Sequence, residues 1–283
     1  MWYFVIARLA VTLYNIRTRL SLLRHSGKGI LLLMSSTLKL ISLNIEMDKH
    51  LPRVLPFLER EQPDVVCLQE VFEKDMGLFE KTLGMSGRFE AVSVVDISYV
   101  NGVLGPDEEL AQKGPQGVAM FSKLPVRSEG VEYYHGEPGE VPRHSADYNR
   151  LFLWRAVEKE GTLFTIGTTH FTWTPDGNIS REQAEDMQKL FTIVEGFPEI
   201  AFCGDFNAPR GREMWGKLAE RYRDNIPGEY VSSIDPLLHR AEGLEVMVDG
   251  LFTTPGYRAF DVKLVEGVSD HKAVVGYLER IDS

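Results

Sequence analysis

The chain has 283 residues, which is enough for one large domain with a substantial core. Hydrophobic residues make up 43% and charged residues 25% of it, as in globular proteins, and no repeat or low-complexity tract is present. The formal net charge of -10 argues against broad electrostatic gripping of a nucleic-acid duplex, which depends on Lys and Arg, although a bound divalent metal would offset that acidity locally.

The N-terminal extension, residues 1–34, is apolar and basic. Arg8 interrupts its opening apolar stretch, so the roughly 20 uninterrupted apolar residues of a membrane span are missing. In a secretory signal the basic residues precede the apolar stretch and a small-residue cleavage site follows it. Here the basic residues follow and no such cleavage site is present, so the pattern argues against a secretory signal. Three interpretations are open: a basic helix lying on a membrane, a weak single anchor, or translation that begins at Met34. The last is favoured, because recognisable domain sequence starts directly after Met34.

Ten apolar runs, many of them rich in Val, Ile and Phe, predict β-strands. They lie near residues 38–45, 64–71, 88–96, 117–122, 150–158, 162–169, 199–204, 245–252, 258–265 and 272–278.

Three helices are predicted between these strands. The first lies in "HLPRVLPFLEREQ", where apolar residues recur at helical spacing, although Pro56 is awkward inside a helix. The second begins at Ser180, which forms an S-x-x-Q capping box with Gln183. The third covers residues 211–222. Helices placed between runs of strands indicate a layered α/β design.

Two long stretches, 96–116 and 133–149, show no regular pattern and are predicted to be loops. Loops of this length in a compact domain are usually functional or disordered. The two cysteines, Cys67 and Cys203, stand in apolar strands and are predicted to be buried core thiols, not a disulfide or a metal pair.

Polar residues end several of the apolar runs. Because an unpaired buried carboxylate is costly, such residues at successive strand ends suggest one shared rim, where they meet around a cation and an anion. The residues are Asn44 in "LKLISLNIE", Glu70 in "DVVCLQEV", His170 in "LFTIGTTHF", Asp205 and Asn207 in "IAFCGDFNAP", Asp249 in "LEVMVDGLF", and Asp270 and His271 in "GVSDHKAVVGYL".

These motifs, above all "GDFN" followed by a terminal "SDH", resemble the endonuclease/exonuclease/phosphatase superfamily over about residues 38–279. That superfamily includes pancreatic deoxyribonuclease, abasic-site endonucleases, neutral sphingomyelinases, inositol polyphosphate phosphatases and poly(A) deadenylases. The resemblance implies an α/β (α+β) four-layer sandwich, in which two packed mixed β-sheets are flanked by helices and the site lies at one end. The catalytic domain would then be residues 35–283.

The resemblance also implies a metal site. Glu70 matches the metal-binding Glu of the family, Asn44 matches the Asn beside the metal, and Asp270 would hold the metal or its water. Glu46 shares a strand face with Asn44 if the strand continues, and it matches an acidic metal contact of some members; a solvated carboxylate is an equal alternative. The expected ion is Mg²⁺, with Mn²⁺ as the alternative.

For catalysis, the resemblance implies that Asp205 orients or deprotonates the attacking water and that Asn207 holds a phosphoryl oxygen. Asp249 would fix the imidazole of His271, which contacts the scissile phosphate. His170 matches a second His of the deoxyribonuclease and sphingomyelinase branches, whereas abasic-site endonucleases typically differ there.

Three further assignments are less specific. Arg150 aligns loosely with a basic phosphate contact, in competition with Arg155, and a surface ion pair is an equal alternative for either. Trp173 is predicted to be a core or rim aromatic more than a platform for a base or sugar. No role is assigned to the other histidines, which are His25, His50, His135, His144 and His239.

The sequence therefore predicts a monomeric, cytoplasmic, Mg²⁺-dependent phosphoester hydrolase without a protein partner. A phosphodiesterase or nuclease is favoured, because two histidines can serve the attacking water and the leaving group, and nucleic acid is one candidate substrate. The alternative is a phosphatase or phospholipase-C-like hydrolase that acts on a small or lipid-linked phosphate. A binding module without activity is less favoured, because every motif position is retained. The missing H-x-H-x-D-H motif excludes the His-rich zinc hydrolases.

Overall fold

The computed structural model describes residues 36–94, 113–142 and 148–281. These residues belong to one compact unit that begins at Ser35. The N-terminal extension lies outside the described residues, as do most of the predicted loop 96–116 and the middle of the loop 133–149. Within the described ranges, no helix is both long enough and apolar enough to cross a membrane.

Twelve strands and four α-helices form the described part of the chain. The strands are β1 Thr37–Asn44, β2 Val65–Phe72, β3 Ser86–Val94, β4 Pro115–Ser122, β5 Val126–His135, β6 Arg150–Lys159, β7 Thr162–His170, β8 Ala201–Asp205, β9 Arg223–Asp224, β10 Asp249–Thr253, β11 Tyr257–Val265 and β12 Ala273–Arg280. The helices are α1 Leu51–Glu61, α2 Met76–Leu83, α3 Arg181–Glu195 and α4 Glu213–Arg221.

The strands form two six-stranded sheets, in the orders β11-β12-β1-β2-β4-β3 and β5-β6-β7-β8-β10-β9. Each sheet is mixed, because β1 pairs with β2 and β7 pairs with β8 in parallel while the other pairings are antiparallel. Helices flank both sheets. This architecture confirms the four-layer α/β (α+β) sandwich that the resemblance implied.

Alternation along the strands separates two apolar layers. In β1, Leu38 and Leu40 belong to the core shared with the second sheet, whereas Ile41 and Leu43 pack in the layer beneath α1 and α2. The core between the sheets also contains both cysteines, which are free and fully buried, as predicted. Burial raises the pKa of the Cys67 thiol well above its usual value.

The ends of two helices follow the sequence signals closely. The hydroxyl of Ser180 accepts a hydrogen bond from the backbone N–H of Gln183, so Ser180 is the N-cap of α3. The Gln183 side chain does not complete the capping box; it donates to the carbonyl of Thr172 instead. In α1, Pro56 has no N–H to donate to the preceding turn, and it lies on the exposed face of the helix.

Three elements were missed. Strand β5 covers the start of the predicted loop 133–149, and its charged, half-exposed sequence at a sheet edge lacks the apolar pattern of a buried strand. Helix α2 has only eight residues and carries Gly77 in its first turn, so it is too short for a helical spacing of apolar residues to be recognised in the sequence. Strand β9 has two residues. The predicted strand 245–252 begins later, at Asp249.

Candidate active site

Strand ends from both sheets meet at one rim of the sandwich. Asn44 ends β1, His170 ends β7 and Asp205 ends β8. Asp249 begins β10, which runs antiparallel to β8, so that Asp249 pairs directly with Asp205; His170 pairs with Asp205 from the other side. Register alone therefore places these polar side chains together.

Asn44 connects the carboxylates of the two sheets. Its Nδ2 donates to Glu70 Oε1 at 3.1 Å and to Asp205 Oδ2 at 3.2 Å, and its Oδ1 accepts the backbone N–H of Glu46 at 3.1 Å. The side chain is almost completely buried. Asn44 therefore lies beside the expected metal site, and in this geometry it orients the carboxylates.

A β-bulge in β2 turns Glu70 towards the rim. The register with β4 shifts between Leu68 and Val71, and Glu70 has a φ of 59°, in the left-handed region. In a regular strand, Gln69 and Glu70 would point to opposite faces. Here both reach the second sheet, because Gln69 donates to Thr168 and Glu70 lies 4.0 Å from Nε2 of His170.

Glu46 reaches the site by a different route from the one predicted. Strand β1 ends at Asn44, and Glu46 and Met47 have left-handed φ values of 47° and 61°. The expectation that Glu46 shares a strand face with Asn44 is therefore wrong, because the strand does not continue. The turn instead brings Glu46 against His50 and Asp270, and its burial excludes a solvated carboxylate.

Asn207 also departs from strand geometry. Strand β8 ends at Asp205, and Asn207 has a left-handed φ of 48°. Its backbone N–H donates to Asp205 Oδ1 at 2.8 Å, which forms an Asx turn. Its amide nitrogen donates to the carbonyl of Phe171 at 3.0 Å, which leaves the second N–H of that amide for a phosphoryl oxygen. Asp205 and Asn207 therefore do not share a strand face as alternate residues of a strand would, because the strand ends at Asp205.

Gly204 allows the closest backbone approach in the site. Its φ is 144°, and a Cβ added there would lie 2.0 Å from the carbonyl oxygen of Thr169 in the neighbouring strand β7. Any other residue at this position would push β8 away from β7 and move Asp205 with it.

The two site histidines differ in charge. Burial disfavours the charged form of His271, but Asp249, which accepts a hydrogen bond from Nδ1 at 2.7 Å, together with the charges of Asp205 and Asp270, outweighs it and raises the pKa of His271. For His170, burial together with the positive charges of Arg150 and His271 lowers the pKa well below its usual value. The surroundings therefore favour the charged form of His271 and the neutral form of His170.

Carboxylates crowd the rim. Burial and the charge of Asp270 raise the pKa of Glu70 to about 7, and burial and the charge of Asp249 raise the pKa of Asp205 to about 6. Like charges held together in a buried place favour a cation between them. Carboxylate oxygens are the ligands that Mg²⁺ and Mn²⁺ take, and those of Glu46 and Asp270 lie within 4.8 Å of each other, so the donor set fits a divalent metal.

The structure also adds His50, a histidine without an assigned role in the sequence analysis. Ligand atoms of Glu46, His50 and Asp270 all lie within 4.8 Å of one another. The only sequence signal was the four-residue spacing between Glu46 and His50, which is too common to read alone. His239 was missed as well; its ring centroid lies 6.4 Å from that of His271.

The two candidate arginines separate clearly. Arg150 is buried beside the site, where Nη1 donates to the carbonyl of His170 at 3.2 Å. Arg155 pairs with Glu129 and donates to the carbonyls of Ser86 and Met120, so it ties β6 to the first sheet. Trp173 is 62% exposed, which makes it a rim aromatic.

The model of the endonuclease/exonuclease/phosphatase family matches residues 41–271. The chain therefore belongs to this family, whose members are hydrolases that act on phosphoester bonds and generally use divalent metals. No curated protein matches the chain by sequence.

Solved structures share the fold. The endonuclease/exonuclease/phosphatase from Bacteroides vulgatus is 16% identical with a TM-score of 0.62, and the alignment covers 87% of this chain and 100% of that one. The human nocturnin catalytic domain is 17% identical over 87% and 94%, with a TM-score of 0.60. The mannosyl-6-phosphatase of Bacteroides thetaiotaomicron is 16% identical over 87% and 100%, with a TM-score of 0.57. At these identities the likeness shows the fold alone.

Proposed function

We propose that this chain is a divalent-metal-dependent phosphodiesterase or nuclease. The observation that carries the proposal is the pair of histidines on either side of Asp205. Nε2 of His170 lies 3.6 Å and Nε2 of His271 lies 4.0 Å from the same oxygen, Oδ2 of Asp205. The surroundings favour the neutral form of one imidazole and the charged form of the other, so the site offers a base, a neutral donor and a cation around one point.

Asp205 is the group that would receive the proton of the attacking water. Its pKa of about 6 leaves it ionised at neutral pH, while keeping it basic enough to accept a proton. Asn44 and the backbone N–H of Asn207 hold its two oxygens in place. A carboxylate fixed in this way needs little reorganisation when the water attacks.

His271 would stabilise the charge that develops on the phosphoryl group. Its Nδ1–H is fixed by Asp249, so Nε2–H points away from the dyad towards the rim. His170 would donate to the substrate from Nε2, because its buried Nδ1 has no hydrogen-bond partner among the described residues. Arg150 adds positive charge beside His170.

Glu46, Glu70 and Asp270 would hold the divalent ion, and Mg²⁺ or Mn²⁺ is the proposed cofactor. When bound, such an ion neutralises charge on the phosphoryl oxygens and orients the phosphate for in-line attack. The crowded carboxylates support this assignment, because without a cation Glu70 and Asp205 are hard to ionise together.

A second candidate is a phosphatase or phospholipase-C-like hydrolase for a small or lipid-linked phosphate. It is favoured by exposed apolar side chains near the rim. Trp173 follows His170 by three residues, and Leu237 is 90% exposed on a loop whose Asp235 N–H donates to the carbonyl of Asp270. A substrate with an apolar group would contact such side chains.

One screen of the purified chain separates these candidates. With Mg²⁺ or Mn²⁺, it compares single-stranded DNA, duplex DNA, RNA, a chromogenic phosphodiester, inositol phosphates and sphingomyelin, with Asp205→Asn as the control for contaminating activity. The first proposal is supported if wild type cleaves the nucleic acids or the chromogenic phosphodiester and Asp205→Asn does not. Release of phosphate from monoesters without diester cleavage, or cleavage of sphingomyelin alone, would replace it with the second.

The remaining assignments are proposals of the same kind. We propose a catalytic domain of residues 35–283 that acts as a monomer in the cytoplasm. The two free thiols suit a reducing compartment. Size-exclusion chromatography with light scattering tests the monomer, and fractionation of cells tests the location.

A further inference from the structure

A mixed group of one imidazole and two carboxylates lies at the rim beside Glu70. It consists of Glu46, His50 and Asp270, whose ligand atoms all lie within 4.8 Å of one another. Each of the three residues is more than nine-tenths buried. Nε2 of His50 lies 2.9 Å from Oε2 of Glu46. The imidazole therefore faces the carboxylates directly, away from bulk solvent.

The backbone fixes this imidazole. His50 is the N-cap of α1, and its carbonyl accepts the N–H groups of Arg53 and Val54 at 2.8 and 2.9 Å. Its side chain caps nothing, so it is free to face Glu46. Asp270 is held from the other side, where its carbonyl accepts from Asp235 and its Oδ1 accepts from the hydroxyl of Ser269 at 3.0 Å. Such outer hydrogen bonds are typical of metal ligands.

The carboxylate of Glu46 already has a positively charged side chain, that of Lys49, as a partner on its outer side. The ammonium of Lys49 lies 2.8 and 2.9 Å from the two carboxylate oxygens. The Lys49 side chain is 53% exposed, so it can move into solvent when another cation arrives. His50 and Asp270 have no such freedom, because they are buried on fixed backbone.

We propose that His50 is a direct metal ligand, together with Glu46 and Asp270, and that it shifts the preference of this site from Mg²⁺ towards a first-row transition ion such as Mn²⁺. Mg²⁺ takes oxygen ligands and loses its water reluctantly, whereas imidazole suits transition ions. The inference rests on the proposed function only in treating the rim as the metal site. The rival explanation is that His50 is merely a charge partner of Glu46.

Pulsed electron paramagnetic resonance of Mn²⁺ separates the two explanations. The full chain is freed of metal with a chelator and loaded with Mn²⁺, and nitrogen modulation of the electron spin echo reports an imidazole bound to the ion. Wild type should show the modulation and His50→Asn should lose it. Asn is a good N-cap, so helix α1 should persist, which circular dichroism checks.

Metal affinity gives the second readout. Titration of the free Mn²⁺ signal should show an affinity loss of roughly 100-fold in His50→Asn, as expected for a direct ligand when outer-shell changes alone cost 10- to 100-fold. The dissociation constant of Mg²⁺, calculated from its competition with Mn²⁺, should change by less than about threefold, because Mg²⁺ gains little from imidazole. An equal loss for both ions would support the charge-partner explanation and overturn the proposal.

His135→Asn is the matched control. His135 lies with Glu182 and Asp186 in another group of one imidazole and two carboxylates, in which His135 and Glu182 are more exposed and Asp186 is buried. It should keep both the modulation and the Mn²⁺ affinity. Absence of nitrogen modulation in wild type, or its survival in His50→Asn, would overturn the proposal. The wild-type measurement alone can overturn the proposal even if the variant does not fold; assignment of the modulation to His50 needs the variant, because Asp205, Asp249 and His271 form another group that could hold a metal. Binding is measured without substrate, so a failed substrate screen leaves this result intact.

Discussion

Glu70→Gln should make the metal-free protein more stable while weakening its response to metal. The negative charge of Glu70 is favourable only when a metal cation is bound beside it. Without one, its charge is opposed by burial and by Asp270, which raise its pKa from 4.5 to about 7. Gln has the same shape and can still accept the Asn44 hydrogen bond, but it carries no charge.

The sign and size of the effect follow from that pKa. A carboxyl group whose folded-state pKa is raised contributes stability below pH 4.5, and that contribution is lost as the pH rises to about 7. At roughly 1.4 kcal/mol for each pH unit, the upper bound is about 3 kcal/mol. Since 27% of the Glu70 side chain is exposed, solvent reduces this, and we expect a gain on the order of 2 kcal/mol above pH 7.

The assay is urea unfolding in the presence of a chelator, at pH 5 and at pH 8. The gain of Glu70→Gln over wild type should be small at pH 5 and large at pH 8. Saturating Mg²⁺ should then stabilise wild type, by about 2.7 kcal/mol at a hundred times its dissociation constant, and should stabilise the variant much less at the same concentration.

Glu61→Gln is the control with the opposite sign. Hydrogen bonding to Lys39 lowers the pKa of Glu61, so removing that charge should destabilise the protein slightly at pH 8, by less than about 1 kcal/mol. The reasoning fails if Glu70→Gln is less stable than wild type at pH 8 without metal, or if its gain does not depend on pH.

Three further predictions concern the mechanism and the domain. Glu70→Ala and Asp205→Asn should each abolish turnover with an unchanged circular dichroism spectrum; activity within about tenfold of wild type, a barrier change of only ~1.4 kcal/mol, would remove that residue from the mechanism. His271→Ala and Asp249→Ala should be non-additive, because the carboxylate acts through the imidazole, and a double variant whose loss equals the product of the single losses would contradict the dyad. Residues 34–283 should be as stable and active as the full chain, and binding of the full chain alone to anionic vesicles at low salt would instead place residues 1–33 on a membrane.

The sequence pattern predicted a layered α/β design, and the resemblance carried by the motifs supplied the two-sheet sandwich, because those motifs stand at strand ends in a fixed order. "GDFN" places Asp205 at the end of β8, and the run before Asn44 is β1 itself. Register then brings these residues together without any further signal, since Asp249 and His170 flank Asp205 in neighbouring strands. Elements with little apolar pattern, such as the edge strand β5, were missed.

The geometry of the site was harder to predict, because it depends on backbone conformations that the sequence does not favour. Glu46, Glu70 and Asn207 all have left-handed φ values, which non-glycine residues seldom adopt. Period-two alternation therefore fails at each of them. The turn at Glu46 is also what brings His50 to the metal site, so the role proposed for His50 could not be read without the structure.

A left-handed φ and a raised pKa coincide at Glu70, and that coincidence is informative. A left-handed non-glycine residue costs on the order of 1–3 kcal/mol and persists only where surrounding structure holds it. Glu70 combines that conformation with a pKa raised to about 7. Asn44 and the bulge in β2 hold it in place nonetheless. A partly buried carboxylate in this conformation lowers the stability of the metal-free fold. Its presence is explained if a cation offsets the charge when the protein works, and the stability of the sandwich is then coupled to metal at this one rim.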